Sequence, residues 1–189
     1  SEQEKKDYQE KQAKAFYREA SCAAISFYDQ AGERLTTTRF GRMPEAGKKT
    51  LKSQLQQSIN TILSQRPELN LVKLADGAAD NWRFLGDTLL PGQGIEILDY
   101  FHASEHLNEA MAAAYGKGSA LAIAKYEEYK SLLKNEIGGI EKVINTLKYH
   151  SRKNPGNKKL ATELDYFRNN RHRMQYAQAL MSNYPIGSG

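Results

Sequence analysis

The chain has a single cysteine, Cys22, in 189 residues, so it can form neither an internal disulfide nor a cysteine-based metal centre. No apolar run approaches the roughly 18 residues a membrane-spanning helix needs. A mean hydropathy of -0.70 and 26% charged residues agree with that. The opening residues, SEQEKKDYQEKQAK, are charged and helix-forming, without the apolar stretch of a secretory signal. These absences predict an intracellular, cytoplasmic protein that does not engage a membrane. An acidic excess is missing too, since the net charge is +5. From Glu141 onward nine Lys and Arg stand against three Asp and Glu, a local net of +6. A basic helical region of this kind suits a phosphate backbone, or else is a solvated helix face.

What is present is enough for a core: 40% of the residues are hydrophobic, in a length that suits one domain or one domain with an insertion. Residues 1–20 read as a helical or mobile arm. From Ser21, CAAISFYD and ERLTTTRFG read as two strands joined by a short loop at DQAG, a hairpin. Leu51, Leu55, Ile59, Ile62 and Leu63 recur at helical spacing between Lys48 and Gln65, and Pro67 stops that helix. Two short apolar runs follow, Leu71 to Leu74 and Ile95 to Leu98, separated by a short helix around Asn81 to Leu89. After His106 the pattern is helical throughout, over His106 to Ala114, Ser119 to Asn135, Gly139 to His150 and Lys158 to Ser182.

Each of the two apolar runs ends in an aspartate, Asp76 in LADGA and Asp99 in ILDYFH. A strand that delivers polar side chains at its carboxyl end, where a helix begins, is a common way to build a site in an open α/β sheet. With only one short helix between them, the two strands are expected to be parallel neighbours with their aspartates side by side. Asp76 also fits a plain Asp-Gly turn followed by a helix cap. His102, beside Asp99, could bind a phosphate or a base, or serve structurally.

The element order, β-β-α-β-α-β followed by helices, predicts an α/β (α+β) fold with an incomplete ribonuclease H-like core over 21–105 and helices after it. Such a sheet opens with three antiparallel strands and carries its first aspartate on the first of them. Here two strands precede the helix, so either Asp29 is that aspartate or the strand lies upstream of Ser1. The turn sequence YDQAGE gives Asp29 a sufficient structural reason and favours the second option.

Six stretches, ISFYDQAGERLTTTRFGRMPE, VKLADGAADNWRFL, ILDYFHASEHLNEA, AAAYGKG, YFRNNRHRMQYA and YPIGSG, give the chain a resemblance to bacterial insertion-sequence transposases of the DDE type, related to the Mutator superfamily. It covers nearly all of the chain from Cys22 on. The resemblance implies a ribonuclease H-like core with three acidic residues, the second matching Asp76, and an Asp-to-His signature matching Asp99 and His102; it also implies that the large all-helical region over 106–185 is an insertion within that core, with a return to the core at 186–189. It implies Mg²⁺ (or Mn²⁺) held at Asp76, and double-stranded DNA, both transposon ends and target, as partner. It further implies a homo-oligomer on DNA and a bacterial, nucleoid-associated location. The family's first aspartate lies on an upstream strand and its final glutamate follows the GSG at Gly187 to Gly189. As it stands, the chain is therefore expected to lack two of the three carboxylates and to be inactive alone.

Carboxylates suit Mg²⁺, which takes hard oxygen ligands, and two such ions can activate the attacking and leaving oxygens of a phosphodiester. Arg168, Arg171 and His172, at i, i+3 and i+4, are expected to share a helix face toward phosphates, with Lys158 and Lys159 nearby. Trp82 reads either as core or as a surface for stacking DNA bases. Two other functions compete. His102, Glu105 and His106 spell H-x-x-E-H, an inverted zinc-peptidase motif, with Glu163 as the candidate third ligand. That motif needs both histidines within one helix, whereas a strand is expected to run up to His102. A non-catalytic DNA-binding module is the other alternative.

Overall fold

The computed structural model describes residues 20–89 and 91–187. It is a mixed α+β protein in two compact units. The arm expected over 1–20 lies almost wholly outside the described residues.

The first unit holds the two strands of a hairpin and a helix; the hairpin turn, Asp29–Glu33, is counted with the second unit. Strands β1 (Ser21–Tyr28) and β2 (Arg34–Arg42) pair antiparallel, Ser21 opposite Arg42, with an irregularity between Phe27 and Tyr28. Asp29 makes the turn: its carboxylate accepts from the amides of Ala31 and Glu33, both at 2.9 Å. This is the local bonding expected of aspartate in a turn, so Asp29 has a structural task. Helix α1 (Lys49–Gln65) packs on both strands and buries Leu51 and Leu55, the start of the predicted stripe. Glu45 caps it, accepting from Thr50 N at 2.7 Å and Leu51 N at 3.1 Å, which satisfies two amides that a helix start leaves unpaired.

The second unit is built on two more strands, β3 (Val72–Ala75) and β4 (Ile95–Leu98), which pair in parallel with Val72 opposite Ile95 and Ala75 opposite Leu98. Gly94 precedes β4 at φ +78, where a Cβ would lie 2.8 Å from Leu71 O, so only glycine fits this approach. Between the strands run α2 (Ala79–Trp82) and a π-helical turn, Arg83–Thr88. Then follow α3 (Tyr100–Tyr115), α4 (Ala120–Asn135), α5 (Gly139–Lys153) and α6 (Lys158–Asn170), a 3-10 turn at Arg171–Arg173 and α7 (Tyr176–Met181). The core joins Ile97 and Leu98 to Leu107, Met111, Ile144, Leu147, Leu160 and Phe167, so the strands are sealed by the helices that follow them.

Three expectations are corrected. The described strands form two separate two-stranded sheets, so the single partial core drawn over 21–105 is divided between the units. Helix α3 begins at Tyr100, six residues before the expected start, because Asp99 caps it and Tyr100 turns inward. The helix expected from Lys158 to Ser182 breaks after Asn170. There Asn170 turns its side-chain amide back to Tyr166 O at 3.0 Å, and Arg173 is drawn to Glu96. At the carboxyl end of β4, Tyr100 N donates to Ile186 O at 2.8 Å. Ser188 and Gly189 lie outside the described residues.

Candidate active site

Asp76 and Asp99 each follow the last paired residue of a strand, and Asp99 N donates to Ala75 O at 2.7 Å. They are therefore side by side, as the spacing predicts. Their environments differ. Asp99 is 7% exposed, and its Oδ1 accepts from Phe101 N at 2.8 Å and His102 N at 3.2 Å. It is the N-cap of α3, an arrangement typically worth about 1 kcal/mol. Asp76 is exposed. Its Oδ1 accepts from Ala78 N at 2.9 Å and Asn81 Nδ2 at 3.0 Å, and its carbonyl accepts from Trp82 Nε1 at 2.6 Å. Asp76 thus makes the turn the sequence allowed, while Oδ2 has no donor among the described residues.

Tyr166, on α6, lies over this turn. A Cβ added to Gly77 would stand 2.7 Å from Tyr166 Cε2, so the ring occupies the space a side chain would need. Among the described residues, the Tyr166 hydroxyl is the one buried side-chain polar atom without a hydrogen-bond partner. Burial raises its pKa well above the ordinary tyrosine value, and the negative charges of Glu163, Asp76, Asp99 and Glu105 raise it further. The phenol is therefore neutral and donor-competent, next to the two aspartates.

Behind Tyr166 runs a charged relay. The His106 ring stacks on it at 3.6 Å between centroids, and His106 Nδ1 bonds Glu163 Oε2 at 2.7 Å. Glu163 is almost wholly buried, and its other oxygen meets Lys159 Nζ at 2.8 Å; Lys159 also reaches Glu109 at 3.4 Å. Burial alone would raise the Glu163 carboxyl, but His106 and Lys159 together outweigh it and hold the pKa below the ordinary glutamate value. Lys159, expected to contact DNA, is a counter-ion to a buried carboxylate.

The donor set can be compared with the implied metals. One free oxygen, Asp76 Oδ2, does not make a two-ion site, and among the described residues no three His, Cys, Asp or Glu side chains could together hold an ion. The zinc motif fares differently from expectation. Both histidines do lie within α3, with rings 5.0 Å apart, because the helix starts before them. His106 Nδ1 is bonded to Glu163 and His102 Nδ1 faces Glu105 at 3.7 Å, and among the described residues no third ligand joins the two histidines in a group that could hold an ion.

The other candidates separate. Arg168 closes α6, whereas Arg171 and His172 sit in the 3-10 turn, so they do not share one continuous helix face. Arg168 pairs with Asp165 at 3.3 Å, and Arg171 stands 4.0 Å from Glu141. Burial, then Arg173, lowers the His172 pKa, which favours the neutral ring. Lys158 is exposed at the start of α6. Trp82 is 5% exposed and lies under the Arg173 guanidinium at 4.1 Å, while Arg173 Nε bonds Glu96 at 2.8 Å. That covering removes Trp82 as a surface for base stacking.

Tyr166, Gly77 and Arg173 were not singled out in the sequence. A signal existed for the relay, since Leu160, Glu163, Leu164 and Phe167 define the inward stripe of α6, and a glutamate on such a stripe requires a partner. Comparisons with family models, curated proteins and solved structures find no match for the chain. Among the described residues no helix is long and apolar enough to cross a membrane.

Proposed function

We propose that the chain is the catalytic-core segment of a DDE transposase, cutting and joining double-stranded DNA at transposon ends. The observation that carries this is the parallel pairing of β3 with β4, which ends in Asp76 and Asp99, with His102 on the first turn of the helix that Asp99 caps. In this reading Asp76 is the reactive carboxylate, exposed and with one oxygen free. Asp99 acts as a positioning residue, fixing the start of α3 and hence the backbone at His102. The Tyr166 phenol offers a proton donor beside them. Mg²⁺ or Mn²⁺ is the ion this chemistry calls for. That chemistry requires two further carboxylates; Asp99, beside Asp76, is engaged as the cap of α3.

The test is strand transfer by a protein containing this segment. Asp76→Asn abolishes joined products while leaving DNA binding intact, because an amide is a far poorer magnesium ligand than a carboxylate.

One observation favours a second reading, a zinc peptidase: His102 and His106 share a helix. Zinc retained in stoichiometric amount through dialysis, and lost in His102→Ala, supports that alternative. A DNA-binding module without catalysis is the outcome if binding is present and strand transfer is absent in the wild type.

A further inference from the structure

Of the nine basic residues after Glu141, five have acidic partners in the fold: Lys142 with Glu136, Lys159 with Glu163 and Glu109, Arg168 with Asp165, Arg171 with Glu141, and Arg173 with Glu96; Lys148, Arg152, Lys153 and Lys158 have no ion pair among the described residues. In the hairpin and its helix, from Ser21 to Pro67, seven basic residues, Arg34, Arg39, Arg42, Lys48, Lys49, Lys52 and Arg66, stand against three acidic ones, Asp29, Glu33 and Glu45. Glu45 turns its carboxylate onto the first amides of α1. Among the described residues, Arg39, Lys48 and Lys49 have no ion pair, and Arg42 makes only a long bond to its neighbour Gly41 O and a charge contact with Glu45.

Arg39 and Arg42 line one hollow of about 400 Å³ with Gln54, Gln57 and Ser58 of α1. No carboxylate lines it. Its chemistry is two guanidinium forks with side-chain amides and a hydroxyl, which are the donors that proteins direct at phosphate and sugar oxygens. A lipid surface fits less well, because Leu51 and Leu55 of α1 are turned inward and leave no apolar helix face for a bilayer.

We infer that the hollow between β2 and α1 is a contact site for the phosphate backbone of duplex DNA, with Arg39 and Arg42 as its principal cations. The inference deepens the proposed function and rests on DNA being the partner. Contact through backbone phosphates is insensitive to sequence, so it adds affinity for any duplex.

The experiment is fluorescence anisotropy of the full chain with labelled duplexes of unrelated sequence over a salt series. Arg39→Gln with Arg42→Gln weakens binding about tenfold or more and flattens the log-log salt slope by roughly one to two. Arg39→Lys with Arg42→Lys restores the slope. Both side chains are exposed, so an unchanged unfolding midpoint verifies the fold. Binding unaffected by the Gln pair but lost in Arg168→Ala with Arg171→Ala overturns the inference and leaves the DNA reading intact. Absence of salt-dependent DNA binding overturns both. Binding to phosphatidylserine vesicles without binding to DNA overturns the inference in favour of a membrane surface.

Discussion

Gly77 and Tyr166, 89 positions apart, occupy one space: a Cβ on Gly77 would lie 2.7 Å from the Tyr166 ring and 3.0 Å from its hydroxyl. The helical region is thereby seated on the turn that presents Asp76. Gly77→Ala forces the ring or the turn to shift and costs about 1 to 3 kcal/mol, as overpacking typically does. Thermal unfolding measures this; a midpoint equal to the wild type contradicts the contact.

Tyr166→Phe separates ring from hydroxyl. The ring keeps its stack on His106, and a buried oxygen without a partner is removed, so stability is unchanged or rises by up to about 1 kcal/mol. Tyr166→Ala loses the stack and destabilises. A Phe variant as unstable as the Ala variant would mean that the hydroxyl is satisfied within the folded chain.

Glu163 makes stability depend on acid. Its carboxyl is more acidic folded than unfolded, so it favours folding above the unfolded value, and the contribution is lost as pH falls through the lower folded one. Below about pH 4.5 the wild-type midpoint therefore falls faster than that of Glu163→Gln. At pH 7 the substitution costs about 1 to 3 kcal/mol, since it disrupts a buried hydrogen-bonded carboxylate. Parallel pH profiles for the two proteins contradict the assignment.

Arg173→Ala uncovers Trp82, the only tryptophan of the chain. Loss of the guanidinium over the ring and of the Glu96 bond costs about 1 to 2 kcal/mol and shifts indole emission to longer wavelength. Unshifted emission contradicts the packing.

Much of the secondary structure was legible because it is locally encoded. The hairpin follows from its turn residues, α1 from the leucine spacing, and the two short strands from apolar runs that each stop at an aspartate. The parallel pairing of β3 and β4 followed from the short connection. The start of α3 was obscured because Tyr100 and Phe101 prolong the apolar run, although Asp99 already carried an N-cap signal. The break after Asn170 depends on Arg173 reaching Glu96, 77 residues away, which no local pattern encodes. The same holds for Tyr166 over Gly77. The charge pattern is a local count: after Glu141 the basic residues outnumber the acidic ones, while Lys159 and Arg173 find acidic partners elsewhere in the chain, Glu109 and Glu96.

The most direct test of the proposed function is transposition in cells of a marked DNA that carries the gene for this chain with its flanking sequence, scored by its joined products. Asp76→Asn keeps the turn, since an Asn oxygen still accepts from Ala78 and Asn81, so stability stays within about 0.5 kcal/mol of wild type. The account predicts joined products from the wild type and none from Asp76→Asn at equal protein level and with DNA binding retained. Undiminished transposition by Asp76→Asn would contradict it.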